Sequence, residues 1–177
     1  MGALSTENQQ AFSAIIKPFA YPKNHVFLQQ NQVSDYIYYL QKGAVRIFYH
    51  KNNKEVTEWL TLDDSFFLSI NSFYNRAPSL LQMQTLEPSQ LWGIPHAGFM
   101  QLSSQSHEVE TLHRGMVTYS LLLSQQRMES LQFETAKSRY QALIKNRPDF
   151  IQRIPLSYIA SFLGITLETL SRMRASE

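Results

Sequence analysis

Cysteine is absent from this chain of 177 residues, which removes disulfides, thiolate zinc sites and cysteine-ligated iron–sulfur clusters. Long apolar runs are absent too: none approaches the roughly 18–20 residues that span a bilayer. The N-terminus has no basic stretch followed by an apolar one, so no membrane association is expected and a cytoplasmic location is. Met1-Gly-Ala-Leu-Ser-Thr6 fits the loose myristoylation pattern, which is too short to be specific. Catalytic signatures are missing as well. There is no Gly-x-Ser-x-Gly elbow and no phosphate loop, and the five histidines (His25, His50, His96, His107, His113) form no His-x-His pair of the metal-dependent barrel type. His25 and His50 could still meet across strands. No enzymatic activity, metal or cofactor is expected.

Charge is sparse, with 17% charged residues and a net +2. It is unevenly placed: residues 127–177 hold eight Lys/Arg against five Asp/Glu, and residues 1–126 hold eight against nine. The basic excess sits at the C-terminal end, a mild signal of the kind phosphate backbones require. A hydrophobic content of 44% suffices for one good core or two small ones.

What is present divides by periodicity. Phe12, Ile15 and Ile16 share one face of a short helix from Ser5 to about Lys17, which Pro18 and Pro22 stop. From His25 to about Pro95, brief β-forming runs alternate with turn residues: 26–28, 36–40, 45–49, 56–60, 66–70, 80–86 and 91–94. Lys51-Asn-Asn-Lys54 reads as a hairpin turn, and Gly43 as a second turn or bulge. Strands this short and evenly spaced predict a sandwich or jelly roll. Helical pattern returns near His96. It runs without proline from His107 to about Glu134, where Leu112, Met116, Tyr119 and Leu123 follow the 4-3-4 spacing of a two-helix seam; Leu121 and Leu122 are expected to face the barrel. Another helix over 134–146 carries Lys137, Arg139, Lys145 and Arg147 outside, and Arg147-Pro-Asp-Phe150 breaks it.

The run Pro155 to Arg172 predicts two short helices joined at a tight corner. Ile159, Ala160 and Leu163 make one apolar stripe, Gly164 takes the left-handed conformation that ends a helix, Ile165 tucks in, and Thr166 caps the next helix, where Leu167 and Leu170 continue the packing. Thr166, Glu168, Thr169, Ser171 and Arg172 are left outside, groups suited to base edges and phosphates. On pattern alone, an ordinary helical hairpin making protein contacts explains the same residues.

Ile159-Ala-Ser-Phe-Leu-Gly-Ile-Thr-Leu-Glu-Thr-Leu-Ser-Arg172 resembles the helix-turn-helix of the Crp/Fnr family, and Tyr38-Tyr-Leu-Gln-Lys-Gly-Ala-Val-Arg46 resembles that family's sensor barrel. The resemblance covers nearly the whole chain. It implies an α+β protein: a jelly-roll barrel of the cyclic-nucleotide-binding type with flanking helices (1–106), a dimerisation helix (107–134) and a helix-turn-helix DNA-binding domain (135–177) without a complete wing, the chain stopping at Arg174-Ala-Ser-Glu177. The function implied is transcription regulation. Expected partners are double-stranded DNA, a second copy of the chain, RNA polymerase and an unidentified small-molecule effector. By resemblance Glu168 and Arg172 contact bases, and Ser157, Thr166 and Thr169 hold phosphates. Leu167 departs from the pattern, standing where the cyclic AMP receptor has a third base-reading arginine. Leu112, Met116, Tyr119 and Leu123 are expected at the dimer interface.

Cyclic-nucleotide members hold the ligand with Gly-Glu-Leu followed about ten residues later by Arg-Ser/Thr-Ala. Here Leu68 and Ser69 stand for the Gly-Glu pair, and the arginine falls near Ser79 or Leu80. Both anchors are missing, so cyclic AMP is not the expected effector. Arg76 lies in the turn before the strand, where its guanidinium is expected to face solvent. The candidate effector pocket is the aromatic stretch of Phe66, Phe67, Phe73 and Tyr74 with Arg76. The alternative function is a barrel-type small-ligand or signalling module whose terminal helices make protein contacts.

Overall fold

Alternating burial closes the short β runs into two antiparallel four-stranded sheets, in a computed structural model that describes residues 4–175. The first three residues of the myristoylation pattern and the last two residues of the chain lie outside the described residues. The first sheet has the order β1 (Lys17–Tyr21), β8 (Ser89–Pro95), β3 (Tyr36–Lys42), β6 (Ser65–Phe67), and the second β2 (Val26–Leu28), β7 (Gln82–Thr85), β4 (Ala44–Lys51), β5 (Lys54–Leu62). Leu28, Tyr38, Leu40, Val45, Ile47 and Met83 meet between them as the barrel core. The β4–β5 hairpin turns through Asn52 and Asn53, both at positive φ (51° and 60°), the backbone of a type I′ turn that asparagine tolerates.

Each sheet's outer face is covered by helices. Over the first lie α1 (Thr6–Ile15), α2 (Ile70–Asn75), α3 (His96–Gln105) and the start of α4 (His107–Phe133), which enclose Phe12, Ile37, Phe73, Ile94, Phe99 and Val109. Against the second lie the C-terminal helices α5 (Ala136–Asn146), α6 (Pro148–Arg153), α7 (Leu156–Phe162) and α8 (Leu167–Ala175). They share one apolar cluster with it: Ala44, Leu60, Leu62 and Leu86 meet Phe150, Ile154, Ile159 and Leu170.

Four elements differ from the sequence reading. Lys17–Tyr21 is strand β1, because an edge strand tolerates Pro18, whose missing N–H leaves no ladder bond unmade. The run 66–70 ends early and gives way to α2, which buries Ser72 and Phe73. Pro148 starts a helix rather than only ending one, since at a first helical position its absent donor is not needed. Leu121 and Leu122 do not face the barrel: they are 65% and 55% exposed.

Candidate nucleic-acid interface and sensor site

The corner between α7 and α8 forms as its residues dictate. Ile159, Ala160, Leu163 and Leu170 are buried, and Gly164 sits at φ 68°. Thr166 Oγ1 accepts the Thr169 backbone amide at 3.2 Å, an N-cap on α8. With its inner face committed to the core, α8 turns Thr166, Leu167, Glu168, Ser171 and Arg172 outward, and Ser157 is exposed near the start of α7. Leu167 therefore leaves the packing that the sequence assigned it, at 43% exposed. Arg172 Nη2 lies 3.5 Å from Thr169 Oγ1. Hydrogen bonds from its own backbone amide and from Thr166 hold the Glu168 carboxyl below the usual carboxylate range, with Arg172 adding to the effect. An ionised Glu168 can only accept, as contact with a cytosine amino group requires.

The basic excess of this end is largely consumed within the protein. Arg153 donates to Asp63, Glu87 and the Gly43 carbonyl. Arg139 caps the carbonyls of Leu163 and Glu134, Arg127 bonds those of Glu58 and Phe162, and Arg147 pairs with Asp149. Lys137, Lys145, Arg172 and Arg174 remain exposed. Charge counting along the sequence could not separate these two groups.

On α4 the expected seam residues divide. Leu112 and Met116 pack against their own barrel's outer cluster, Tyr119 is 62% exposed, and Leu123 borders a small cavity with Phe66 and Phe67. A different stripe is exposed at 4-3-4-3 spacing: Val117, Leu121, Ser124, Met128 and Leu131. The sequence carried this signal, but the equally regular stripe that serves the protomer's own core competed with it.

The aromatic stretch does not surround one cavity. Phe66 is 52% exposed; Phe67 and Phe73 are buried in different clusters; Tyr74 bonds His113 Nε2 at 3.1 Å. Phe66, Phe67 and Leu123 border a space of only about 80 Å³. Arg76 does not face solvent freely: it donates to the Ser34 carbonyl at 2.9 Å and is tied to the Asp35 carboxylate. Ser69, expected to stand in for the motif's carboxylate, and Ser79, one of the two positions expected for its arginine, have their Oγ atoms 3.0 Å apart, and both residues are buried. Ser72 Oγ, nearby on α2, bonds the Ala77 carbonyl at 2.6 Å and accepts the Ser34 amide at 2.8 Å. Ser69 and Ser79 thus bond one another and Ser72 bonds backbone groups, so each of these hydroxyls has its partner within the protein. His25 stacks on Tyr21 while His50 engages Gln82, so the two form no shared site. Among the described residues no group of three or more His, Asp or Glu could hold a metal ion, and no helix is long and apolar enough to cross a membrane.

Comparison with known proteins agrees with this architecture. The sequence profile of the cyclic nucleotide-binding domain matches residues 18–106. No curated protein matches the chain. Among solved structures the chain is similar to FixK2 from Bradyrhizobium japonicum (17% identity, 92% of this chain and 84% of that one, TM-score 0.76). A CooA variant from Carboxydothermus hydrogenoformans gives 17%, 99%, 80% and 0.70 on the same measures. The catabolite activator protein of Thermus thermophilus gives 20%, 98%, 83% and 0.60. By the match over half its length and by its fold, this chain belongs to the cyclic nucleotide-binding domain family, in the architecture of the Crp/Fnr regulators.

Proposed function

We propose that the protein is a homodimeric, sequence-specific DNA-binding transcription regulator whose barrel does not respond to cyclic AMP. The observation that carries this reading is α8: its inner face is locked into the core by Leu170, and its outer face offers Glu168 and Arg172, with the capping Thr166 and the half-buried Thr169 beside them. Arg172 donates to a guanine and Glu168 accepts from a cytosine amino group, while Ser157, Thr166 and Thr169 engage phosphates. Leu167 is suited to a thymine methyl. Two copies joined along α4 would present two such helices to half-sites about 34 Å apart. The exposed stripe from Val117 to Leu131 supports this pairing, and we place the dimer seam there rather than on Leu112 and Met116.

The self-bonded Ser69–Ser79 pair supports the absence of a cyclic-nucleotide response, because a buried phosphate without a cation is poorly compensated. Selection from random duplexes tests the whole reading. Wild type should enrich a palindrome, and Arg172→Ala should lose roughly 1–3 kcal/mol of specific binding and relax one base position. Ser157→Ala should weaken all sequences alike. If no palindrome is enriched, or if Arg172→Ala selects the wild-type motif, α8 is not the reading helix.

A further inference from the structure

The C-terminal helices are fastened to the outer face of the second sheet by polar contacts as well as by apolar packing. Arg153 of α6 gathers three barrel segments: Asp63 after β5 by two hydrogen bonds of 2.9 Å, Glu87 after β7, and the Gly43 carbonyl between β3 and β4 at 2.9 Å. Gly43 belongs to the same knot, since its amide donates to Asp63 Oδ1 at 2.6 Å. At the other end of the contact Arg46 of β4, 3% exposed, lies between the rings of Phe48 and Tyr158 of α7, 3.9 Å from each centroid. It is also paired with Glu55 at 2.6 Å. Between these points the Thr57 amide donates to Ser161 Oγ at 2.8 Å.

These contacts tie α6 and α7 to the barrel at both ends of the shared face. Arg46 is itself held in the second sheet by Gln84 at 2.7 Å and by Glu55, with one nitrogen left without a hydrogen-bond partner, so it offers a fixed guanidinium face on which the Tyr158 ring of α7 docks. The outer face of α8 stays open in the docked arrangement, while in the barrel the buried Ser69 and Ser79 are bonded to one another. We infer that the Arg153 and Arg46 contacts form a latch that fixes the reading helix in its DNA-competent orientation without any barrel ligand. The latch acts on orientation: each protomer still grips a half-site when it is broken, but the two reading helices no longer hold the spacing of a palindrome. This inference rests on the DNA-reading assignment above and concerns how that site is regulated.

The test compares wild type, Arg153→Ala, the near-isosteric pair Asp63→Asn/Glu87→Gln, and Tyr158→Leu, on duplexes carrying one half-site or two at varied spacing. Amide exchange at Thr57 reports docking without DNA. The expected result is faster Thr57 exchange, unchanged half-site affinity, full-site affinity lower by about tenfold or more, and tolerance of altered spacing. Full-site affinity equal to or above that of wild type, in a variant whose Thr57 exchange is faster, overturns the latch. An independent arm joins the halves covalently: Thr57→Cys/Ser161→Cys, oxidised with glutathione disulfide, should bind the full site as wild type does. Loss of binding that reduction restores would mean that the docked state is the inactive one, which also overturns it. Wild type binding no duplex at all defeats the DNA-reading assignment itself, an outcome distinct from failure of the latch variants alone.

Discussion

Arg153 illustrates how surroundings decide what one side chain is for. Counted along the sequence it is one more cation of the basic C-terminal end; in the fold it is neutralised by Asp63 and Glu87. The Arg153 guanidinium holds the Asp63 carboxyl below the usual aspartate range. A carboxyl depressed in the folded state stabilises fully above its unfolded pKa, about 4, and loses that contribution as pH falls through the folded value. The thermal midpoint of wild type should therefore exceed that of Asp63→Asn by a constant margin near neutrality, and the margin should shrink below about pH 4. A margin unchanged at pH 3 would show that the pair contributes nothing. Gly43 is as tightly specified: its φ is 130°, and a Cβ there would lie 2.2 Å from Ser89 Oγ. Gly43→Ala should cost roughly 2–4 kcal/mol in denaturant melts. The buried Ser69–Ser79 contact is a third such case. Calorimetry with cyclic AMP should show no binding tighter than about millimolar, and a micromolar constant would mean that the two hydroxyls part to admit the phosphate.

Elements were legible where their period was unambiguous. The helix at α4, the hairpin through Asn52 and Asn53, and the corner at Gly164 follow from spacing and from residues that tolerate positive φ. Strand β1 was hidden because Pro18 reads as a stop until the strand is known to lie at an edge. Helix α2 was hidden because its six residues are too few to establish a period. On α4 two apolar stripes obey the same spacing rule, and only the barrel's position separates the one used internally from the one left open. The corner that exposes Glu168 and Arg172 was legible by motif; the loss of Arg139, Arg147 and Arg153 to internal contacts was not, since it depends on pairing across the fold. The seam yields a direct test. Leu121→Glu/Met128→Glu should give a folded monomer by light scattering, because each charge would be buried only in the dimer. Met116→Glu should instead lower the melting temperature, because Met116 packs within its own protomer. A monomeric wild type at micromolar concentration would refute the pairing.

For the molecule as a whole, the proposed DNA reading makes the exposed cations of the C-terminal helices the measure of how strongly affinity should depend on salt. With Arg172 committed to a base, Lys137, Lys145 and Arg174 from two copies engage at most about six phosphates, so log K against log salt should slope no more steeply than about −5. A steeper slope would mean that barrel lysines also touch the backbone. The fastening of these helices to the barrel has an optical consequence. Trp59 of β5 meets the Phe162 ring edge-on at 6.4 Å, across the joint, whereas Trp92, the second of two tryptophans, bonds Gln41 within the first sheet. With Trp92→Phe as background, the remaining indole emission becomes a label-free gauge of whether the halves are together. It should shift to longer wavelength when they separate, and it could be followed on the stopped-flow timescale while duplex is added.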